Sequence, residues 1–310
     1  MTFKVTILGS GSAKPSLRFH HSAQVINLYE QHYLVDCGEG TQNRLLKVGV
    51  SPLKINAVFI SHLHGDHVFG LFPLISSMGL MGRKVPLHVF APNPFGEIME
   101  NHFRYFDTEL PFEVVWHEVH TTQHELLYEN NVMEVWSIPL RHRVPTAGFL
   151  FREKTPGLNV RKEKIAELGL GVAQITAAKR GEDVRLEDGR VVPNEELTYI
   201  PYAPRGYAYL SDTNYSGKAV SLVRGVDLLY HEATYADDMR REAKQRGHST
   251  TLQAVKAARE SGAKRLIIGH FSSRYKDESV LLNECRGEFA ETYLAEEGRT
   301  FEIVAEKKNL

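Results

Sequence analysis

Short apolar runs alternate with longer amphipathic stretches along the chain. The runs rich in β-branched and aromatic residues predict strands; they are KVTILG, AQVINL, HYLVDCG, AVFISH, PLHVFAP, FEVVWHEV, MEVWSIPL, YAYLSDT, DLLYHEAT, RLIIGHF and FEIVAEK. The stretches with helical periodicity are GTQNRLLKVG, SGKAVSLVRG, DDMRREAKQRG, STTLQAVKAARESG and, as the longest predicted helix, DESVLLNECRGEFAETYLAEEG. Because strands occur in both halves and helices follow many of them, the pattern favours an α/β architecture of sheets covered by helices.

Residues 152–206 interrupt this pattern with a charged stretch that is rich in glycine and proline. Within it, VRLEDGRVV predicts a small hairpin whose turn is formed by Asp188 and Gly189. We interpret the chain as a single domain over 1–310 that carries an insertion at 152–206, partly extended from the body. A surface loop without function is the alternative interpretation.

Composition and charge narrow the classes of function. The formal net charge is −1, so no global field attracts nucleic acid, and a polyanion would need a local basic patch or a metal ion. Cys37 and Cys285 make no disulfide framework, which favours a reduced, cytoplasmic protein. No apolar run of about 18 residues predicts a membrane span, and the first residues alternate like a strand rather than a signal peptide.

Titratable residues crowd into SHLHGDH, directly after the apolar run AVFI. The cluster has the pattern H-x-H-x-D-H and contains His62, His64, Asp66 and His67. Imidazole nitrogens and carboxylate oxygens are ligands that divalent transition metals prefer. In an extended chain His62 and His64 point the same way, whereas Asp66 and His67 diverge, which suits two metal ions, and we expect Gly65 to permit a tight backbone. A polar surface loop is the alternative.

Other apolar runs also end in residues that can bind metal. His142 follows VWSIPLR, Asp212 follows GYAYLS, and His270 follows RLIIG. Because ligands gather beyond the carboxyl ends of strands in α/β sheets, we expect these side chains near the His62 cluster. The metal is not fixed by these ligand types, since zinc, manganese, iron and cobalt all accept histidine and aspartate.

Several further motifs occur in a fixed order, namely DCGEGTQ at 36–42, SDT at 211–213, HEAT at 231–234, GHST at 247–250 and GHFSSRY at 269–275. With H-x-H-x-D-H, this combination resembles the ribonuclease Z family of the metallo-β-lactamase superfamily. The resemblance extends from Gly9 to about Tyr275. H-x-H-x-D-H alone would indicate only the superfamily, and the other motifs narrow the resemblance to the ribonuclease Z family.

The resemblance implies a four-layer αββα metallo-β-lactamase sandwich with an inserted flexible arm and two Zn²⁺ per subunit, with Mn²⁺, Fe²⁺ or Co²⁺ as alternatives. One metal would be bound by His62, His64 and His142. The other would be bound by Asp66, His67 and His270. Asp212 would bridge the two ions, which agrees with the two oxygens that a carboxylate offers.

The resemblance also implies an endoribonuclease that removes the 3′ trailer from precursor tRNA. A metal-activated hydroxide would attack the phosphodiester, leaving a 3′-hydroxyl on the tRNA and a 5′-phosphate on the trailer. The catalytic candidates are Asp66, which would orient the hydroxide, His248 as general acid, and Glu232 as the partner of that imidazole. The candidates for contacts with substrate phosphates are Ser272, Ser273 and Arg274.

In this family an arm grips the tRNA and serves the active site of the other subunit, so the resemblance implies a homodimer. The stretch 152–206 lies where that arm is expected, and it carries the basic residues Lys154, Arg161, Lys162, Lys164, Lys179, Arg180, Arg185 and Arg190. Its sequence LGLGVAQITAAKRGE departs from the arm tip of many bacterial relatives. Two alternatives stay open, a related phosphodiesterase for small phosphodiesters or cyclic nucleotides and an inactive RNA-binding homologue.

Overall fold

Two seven-stranded sheets form the framework of the chain in a computed structural model that describes residues 1–106 and 109–307. The strands are β1 (Phe3–Gly9), β2 (Ala23–Leu28), β3 (Gln31–Val35), β4 (Ile55–Phe59), β5 (Leu87–Ala91), β6 (Val114–Glu118), β7 (Leu126–Glu129), β8 (Met133–Pro139), β9 (Ala147–Glu153), β10 (Asn159–Val160), β11 (Val184–Arg185), β12 (Val191–Val192), β13 (Thr198–Tyr199), β14 (Gly206–Leu210), β15 (Leu228–Glu232), β16 (Arg265–Gly269), β17 (Thr292–Leu294) and β18 (Thr300–Glu302). The helices are α1 (Thr41–Lys47), α2 (Gly65–Val68), α3 (Leu71–Leu80), α4 (Phe95–Tyr105), α5 (Lys162–Leu168), α6 (Val172–Lys179), α7 (Asn194–Leu197), α8 (Gly217–Leu222), α9 (Arg240–Arg246), α10 (Thr251–Ser261) and α11 (Ser279–Arg286).

Both sheets contain a run of parallel strands. The first has the order β18-β1-β2-β3-β4-β5-β6, with parallel pairing from β3 to β6. The second has the order β17-β16-β15-β14-β9-β8-β7, with parallel pairing from β14 to β17. Parallel strands end at one edge of a sheet, so the segments after β4, β14 and β16 are directed toward common edges.

The alternation of side chains along the strands explains the layers. Apolar residues on the outer face of the first sheet, such as Val58, pack against α3 through Leu74. Those of the second sheet, such as Ile268, pack against α10 through Ala254. Between the sheets lies a cluster of buried aromatic rings formed by Tyr33, Phe59, Phe149 and Phe151. The predicted α/β sandwich with four αββα layers is therefore confirmed.

The C-terminal region differs from its prediction as the longest helix. The helix there covers only Ser279–Arg286, and Thr292–Leu294 forms β17 beside β16. The helical pattern was outweighed by an open sheet edge, because Tyr293 pairs with Ile267 and supplies backbone partners for that strand. The sequence pattern also left β9, a continuous buried run, without an assignment.

Residues Arg152–Arg205 form a second compact unit together with Asn130–Met133 and the described residues from Val304 onward. The unit has its own small apolar core, which includes Leu170, Ala178 and Leu197. The predicted hairpin is present as β11 and β12, with Gly189 in a left-handed conformation at the turn. Helices α5 and α6 also lie in this stretch, where the sequence pattern had assigned no helix. Within the described residues, no helix has the length and apolar character required to cross a membrane.

Candidate active site

The candidate ligands, and Asp36 beside them, lie on segments that leave the carboxyl ends of five strands. Asp36 follows β3, the His62 loop follows β4, His142 follows β8, Asp212 follows β14, and His270 follows β16. Asp36, Asp212 and His270 have φ angles of 55°, 51° and 58°, which are uncommon for residues other than glycine. These sharp turns occur directly after buried strands. The hydrogen bonds of the sheet fix the backbone before each turn, and the turns direct the side chains toward the same site.

The structure brings all seven candidate ligands together in two groups. His62, His64, His142 and Asp212 each offer an atom within 4.8 Å of the others, and so do Asp66, His67 and His270. In the first group Nε2 of His62 lies 2.9 Å from Nδ1 of His64. Apart from Asp212, which falls in the first group, the two groups have the membership that the family resemblance implies for two metal ions.

The carboxylate of Asp212 lies between the two groups. Its Oδ2 is 3.2 Å from Nε2 of His67 and 3.3 Å from Nε2 of His270. Its Oδ1 is 3.9 Å from Nε2 of His62 and also 3.9 Å from Nε2 of His142. One oxygen therefore faces each group, which is the arrangement that a bridging carboxylate requires.

Hydrogen bonds from the far side of three rings fix which nitrogen faces the centre. Nδ1 of His67 donates to Asp36 at 2.7 Å, and Nδ1 of His142 donates to the Gly247 carbonyl at 2.8 Å. Nδ1 of His270 lies 2.9 Å from Oγ1 of Thr234. The opposite Nε2 atoms of these three histidines are buried and make no hydrogen bond among the described residues. Three buried Nε2 atoms without hydrogen-bond partners, directed at one carboxylate-lined space, fit a divalent cation.

Asp36 was not singled out by the sequence, although it opens the motif DCGEGTQ. It is fully buried and accepts hydrogen bonds from the Ser61 amide at 2.8 Å, the Ser61 hydroxyl at 2.9 Å and the Tyr209 hydroxyl at 2.7 Å. Together with the contact to His67, these bonds hold a carboxylate behind a metal-type histidine. An aspartate at the end of an apolar strand, two residues before a glycine, was the available signal.

The charges of the cluster depend on one another. Burial alone would lower the pKa of His67, but Asp36, Asp212 and Asp66 hold that pKa well above its usual range. Burial opposes ionisation of Asp212, yet His270 and His67 hold the pKa of this carboxyl well below its usual range. The carboxylates of the cluster therefore stay negatively charged and favour the protonated form of His67. A divalent cation would compete with the His67 proton for these carboxylates.

His248 and Glu232 form a hydrogen-bonded pair beside the cluster. Oε1 of Glu232 accepts from Nδ1 of His248 at 2.9 Å and from the Thr213 amide at 2.7 Å, and Oε2 accepts from the Thr234 hydroxyl at 2.6 Å. Burial alone would lower the pKa of His248, but the Glu232 carboxylate raises it to about 9. A third group of possible donor atoms contains Asp212, His248 and His270. Since Nδ1 of His248 is engaged by Glu232, Nε2 is the nitrogen left to act in the cleft.

The cluster opens into a cleft of about 540 Å³. Ser272, Ser273 and Arg274, the candidates for contacts with substrate phosphates, line this cleft. The guanidinium of Arg274 is already engaged, because it lies 2.9 Å from Glu242 and 4.8 Å from the Tyr235 ring centroid. The cleft also has lining residues that the sequence did not single out, namely Lys14, Phe69, Arg143, Tyr235 and Arg246. Isolated basic or aromatic residues in loops gave no signal, since only the fold places them at one opening.

Two glycines of the motifs have different structural roles. Gly247 has a φ of +80°, and a Cβ there would lie 2.8 Å from Nδ1 of His142, so a side chain would disturb the bond that orients this imidazole. Gly65 was expected to permit a tight turn, but it has no positive φ and begins α2. A Cβ at Gly65 would instead overlap the ring of Phe69. The expectation was therefore wrong about the cause, because this glycine makes room for an aromatic ring.

Two family models match parts of the chain. The model described as "Anti-Pycsar protein Apyc1" matches residues 3–105, and the model described as "Beta-lactamase superfamily domain" matches residues 166–271. Each covers about a third of the chain, and the second agrees with the sandwich of two sheets.

Curated relatives match over nearly the whole length. The chain is 42% identical over 295 residues to "Ribonuclease Z" of Bacteroides fragilis, covering 95% of this chain and 97% of the relative. It is 42% identical over 301 residues to "Ribonuclease Z" of Bacteroides thetaiotaomicron, covering 97% and 95%. "Ribonuclease Z" of Parabacteroides distasonis is 40% identical over 301 residues, covering 97% of this chain and 99% of the relative.

Solved structures share the fold. The short form of human tRNase Z superimposes with a TM-score of 0.70 at 28% identity, covering 96% of this chain and 98% of that one. The metallo-β-lactamase fold protein YhfI of Bacillus subtilis superimposes with a TM-score of 0.68 at 19% identity, covering 97% and 100%. The second likeness concerns the fold alone.

Proposed function

The chain belongs to the ribonuclease Z family, and from this premise we propose how its residues remove the 3′ trailer from precursor tRNA. It is a metal-dependent endoribonuclease. The proposed products are a tRNA with a 3′-hydroxyl and a trailer with a 5′-phosphate. The observation that carries the mechanism is the position of Asp212, whose two oxygens face the two groups of ligands.

The His and Asp cluster fits a divalent metal. We assign two Zn²⁺ ions per subunit, one to His62, His64 and His142 and the other to Asp66, His67 and His270, with Asp212 shared between them. Ions in such a site lower the pKa of a shared water and stabilise negative charge on a phosphate. The buried Nε2 atoms of His67, His142 and His270 support this assignment, since each would otherwise lack a hydrogen-bond partner.

Asp66 and His248 are the proposed catalytic residues. Oδ2 of Asp66 lies 3.5 Å from Nε2 of His67 and 3.6 Å from Nε2 of His270, which supports a role for this carboxylate in binding metal and in orienting the attacking water. His248 would donate a proton to the 3′ oxygen that leaves the phosphorus. Glu232 is a positioning residue, because it holds Nδ1 of His248 and turns Nε2 toward the cleft.

Ser272, Ser273 and Arg274 are proposed contacts for phosphate oxygens. Their place in the cleft supports this role, because hydroxyl and guanidinium donors suit phosphate oxygens. The ion pair with Glu242 limits what Arg274 contributes alone, since a phosphate would have to share or replace that carboxylate.

We propose that 152–206 is a substrate-binding arm. Several of its cations pair with nearby carboxylates, as Lys164 does with Glu167 and Arg180 with Glu182. Lys162, Lys179 and Arg185 are exposed and make no ion pair among the described residues. Exposed cations without carboxylate partners suit the phosphates of tRNA. The family resemblance further suggests a cytoplasmic homodimer in which the arm serves the partner subunit.

Incubation of the purified protein with a precursor tRNA that carries a 3′ trailer tests the function. We expect one cut at the trailer junction, a 3′-hydroxyl on the tRNA and a 5′-phosphate on the trailer, and loss of the cut with a chelator. Turnover of small phosphodiesters without cleavage of the tRNA would instead support a phosphodiesterase. Binding of tRNA without cleavage, by protein that contains metal, would support an inactive homologue.

A further inference from the structure

Phe69 is an exposed aromatic residue at the opening of the cleft. Its side chain is 63% exposed, and it lines the cleft beside the ligand residues His64 and Asp66. Single exposed apolar residues are common on protein surfaces and need no explanation by themselves. What distinguishes Phe69 is its place, since it stands two residues from the proposed metal ligand His67 and lines the cleft.

The backbone of Phe69 is fixed by hydrogen bonds, and its ring packs on Gly65. Its amide donates to the Gly65 carbonyl at 3.0 Å, and the next amide, of Gly70, donates to the Cys37 carbonyl at 2.8 Å. The ring itself lies against Gly65, where no side chain would fit. A fixed ring loses little conformational freedom when a ligand covers it, so this arrangement favours binding of a flat apolar surface.

The cations of the cleft indicate which ligand has such a surface. Lys14 and Arg143 line the same cleft, and neither makes an ion pair among the described residues. Unpaired cations together with an exposed aromatic ring are the features that bind single-stranded nucleic acid, because the cations contact phosphates and the ring stacks on a base. A small phosphodiester without a base would leave the ring uncovered.

We propose that Phe69 stacks on the base of a nucleotide next to the scissile phosphate and thereby selects RNA over small phosphodiesters. This inference rests on the proposed function, because it concerns the same cleft. Stacking would fix the position of the flanking nucleotide relative to Asp66. It would add affinity without base specificity, since every base has a flat face. The ring thus contributes to substrate choice without taking part in proton transfer or metal binding.

Single-turnover cleavage with modified substrates tests the stacking. Precursor tRNAs would carry an abasic nucleotide on either side of the scissile phosphate, and the enzymes would be wild type, Phe69→Leu, Phe69→Trp and the control Phe106→Leu. Phe106 matches Phe69 in type and is 71% exposed, but it does not line the cleft. We expect Phe69→Leu to weaken apparent substrate affinity about tenfold, with Phe69→Trp retaining it.

The decisive comparison is between the two kinds of change. If Phe69 stacks on one flanking base, the abasic change at that position weakens wild type about as much as Phe69→Leu does, and the two losses do not add. Additive losses at both positions would overturn the proposal, as would a Phe69→Leu variant that binds like wild type. A changed sedimentation coefficient with unchanged affinity would assign the ring to contact between copies of the chain and would also overturn it.

A second measurement separates this proposal from the proposed function. The fluorescence of Phe69→Trp is followed on rapid mixing with intact and abasic RNA, and Phe106→Trp is the control. Quenching by intact RNA only, confined to Phe69→Trp, supports stacking whether or not the RNA is cut. Wild-type protein that leaves the trailer in place would count against the proposed function, whereas equal quenching by both RNAs would count against stacking.

Discussion

Oδ2 of Asp36 lies 2.7 Å from Nδ1 of His67, in a place where both side chains are fully buried. The carboxylate accepts a hydrogen bond from Nδ1 of His67, so Nε2 is the nitrogen that faces Asp212 and Asp66. A carboxylate behind a histidine ligand orients the ring and raises its basicity. The geometry of the proposed metal centre is thus controlled from a strand end that contributes no ligand itself.

Replacing Asp36 tests this control. We expect Asp36→Asn to lower metal affinity about 10- to 100-fold, because the amide cannot accept the Nδ1 proton as strongly as the carboxylate does. Competition with a chromogenic chelator gives the affinity. Tyr209→Phe is the matched control, since it removes another hydrogen bond to Asp36 and leaves the bond to His67. Equal losses in both variants would show a role in stability rather than in orientation of His67.

We expect Asp66 to be required for cleavage of the tRNA but not for binding of the tRNA. Asp66→Ala removes a proposed ligand and the group that orients the attacking water, so cleavage should fall below detection. Binding should largely persist, because most tRNA contacts are assigned to cations elsewhere. Cleavage assays and a filter-binding titration measure the two properties. A variant that loses binding but keeps residual cleavage would contradict the assignment.

The pair of His248 and Glu232 predicts a particular pH dependence. A general acid must be protonated, and Glu232 raises the pKa of His248 to about 9, so activity should persist up to that range and fall above it. Glu232→Gln removes the negative charge and lowers the His248 pKa, so the alkaline fall should move about one pH unit or more toward neutrality.

The rate of the chemical step, measured between pH 6 and 10 in buffers of constant ionic strength, tests the role of this pair. Glu232→Asp keeps the charge and should keep the alkaline fall near its wild-type position, while His248→Gln should remove that fall along with most of the rate. An alkaline fall at the same pH in wild type and Glu232→Gln would exclude His248 as the titrating acid.

Arg143 and Arg274 line the same cleft but should differ in their effect. Arg143 makes no ion pair among the described residues, whereas Arg274 is paired with Glu242 at 2.9 Å. Arg143→Ala should therefore raise KM for precursor tRNA more than Arg274→Ala, and it should reduce the slope of log affinity against log salt by about 0.7 to 0.9. Arg143→Lys should retain most of the affinity. Equal effects of the two alanine variants would contradict this ranking.

The cations of 152–206 provide a test of the arm. Replacing Lys162, Lys179 and Arg185 together by alanine should weaken tRNA binding at least about tenfold at moderate salt, because each cation can neutralise one phosphate. Turnover of a small phosphodiester should be unchanged, since it does not reach beyond the metal site. Lys164→Ala with Arg180→Ala is the control, because these cations already pair with carboxylates. Equal losses in both sets would argue against a specific role for the unpaired cations.

The sequence by itself indicated which residues could bind metal. The spacing H-x-H-x-D-H and the positions of His142, Asp212 and His270 after apolar runs predicted candidate ligands, which the structure brings into two groups. The apolar runs likewise predicted sheets covered by helices, whereas the four-layer arrangement was implied by the family resemblance. Where a pattern allowed two structures, as at Thr292–Leu294, an open sheet edge decided the outcome.

Only the tertiary structure decided how these residues work together. Asp36 meets His67, Glu232 meets His248, and Phe69 lies on Gly65 at the opening of the cleft. The first two pairs join residues far apart in the chain, and the third depends on how a ring packs against a neighbouring turn. Such contacts leave no periodic pattern in a sequence, because they arise from the distances and angles between elements after packing.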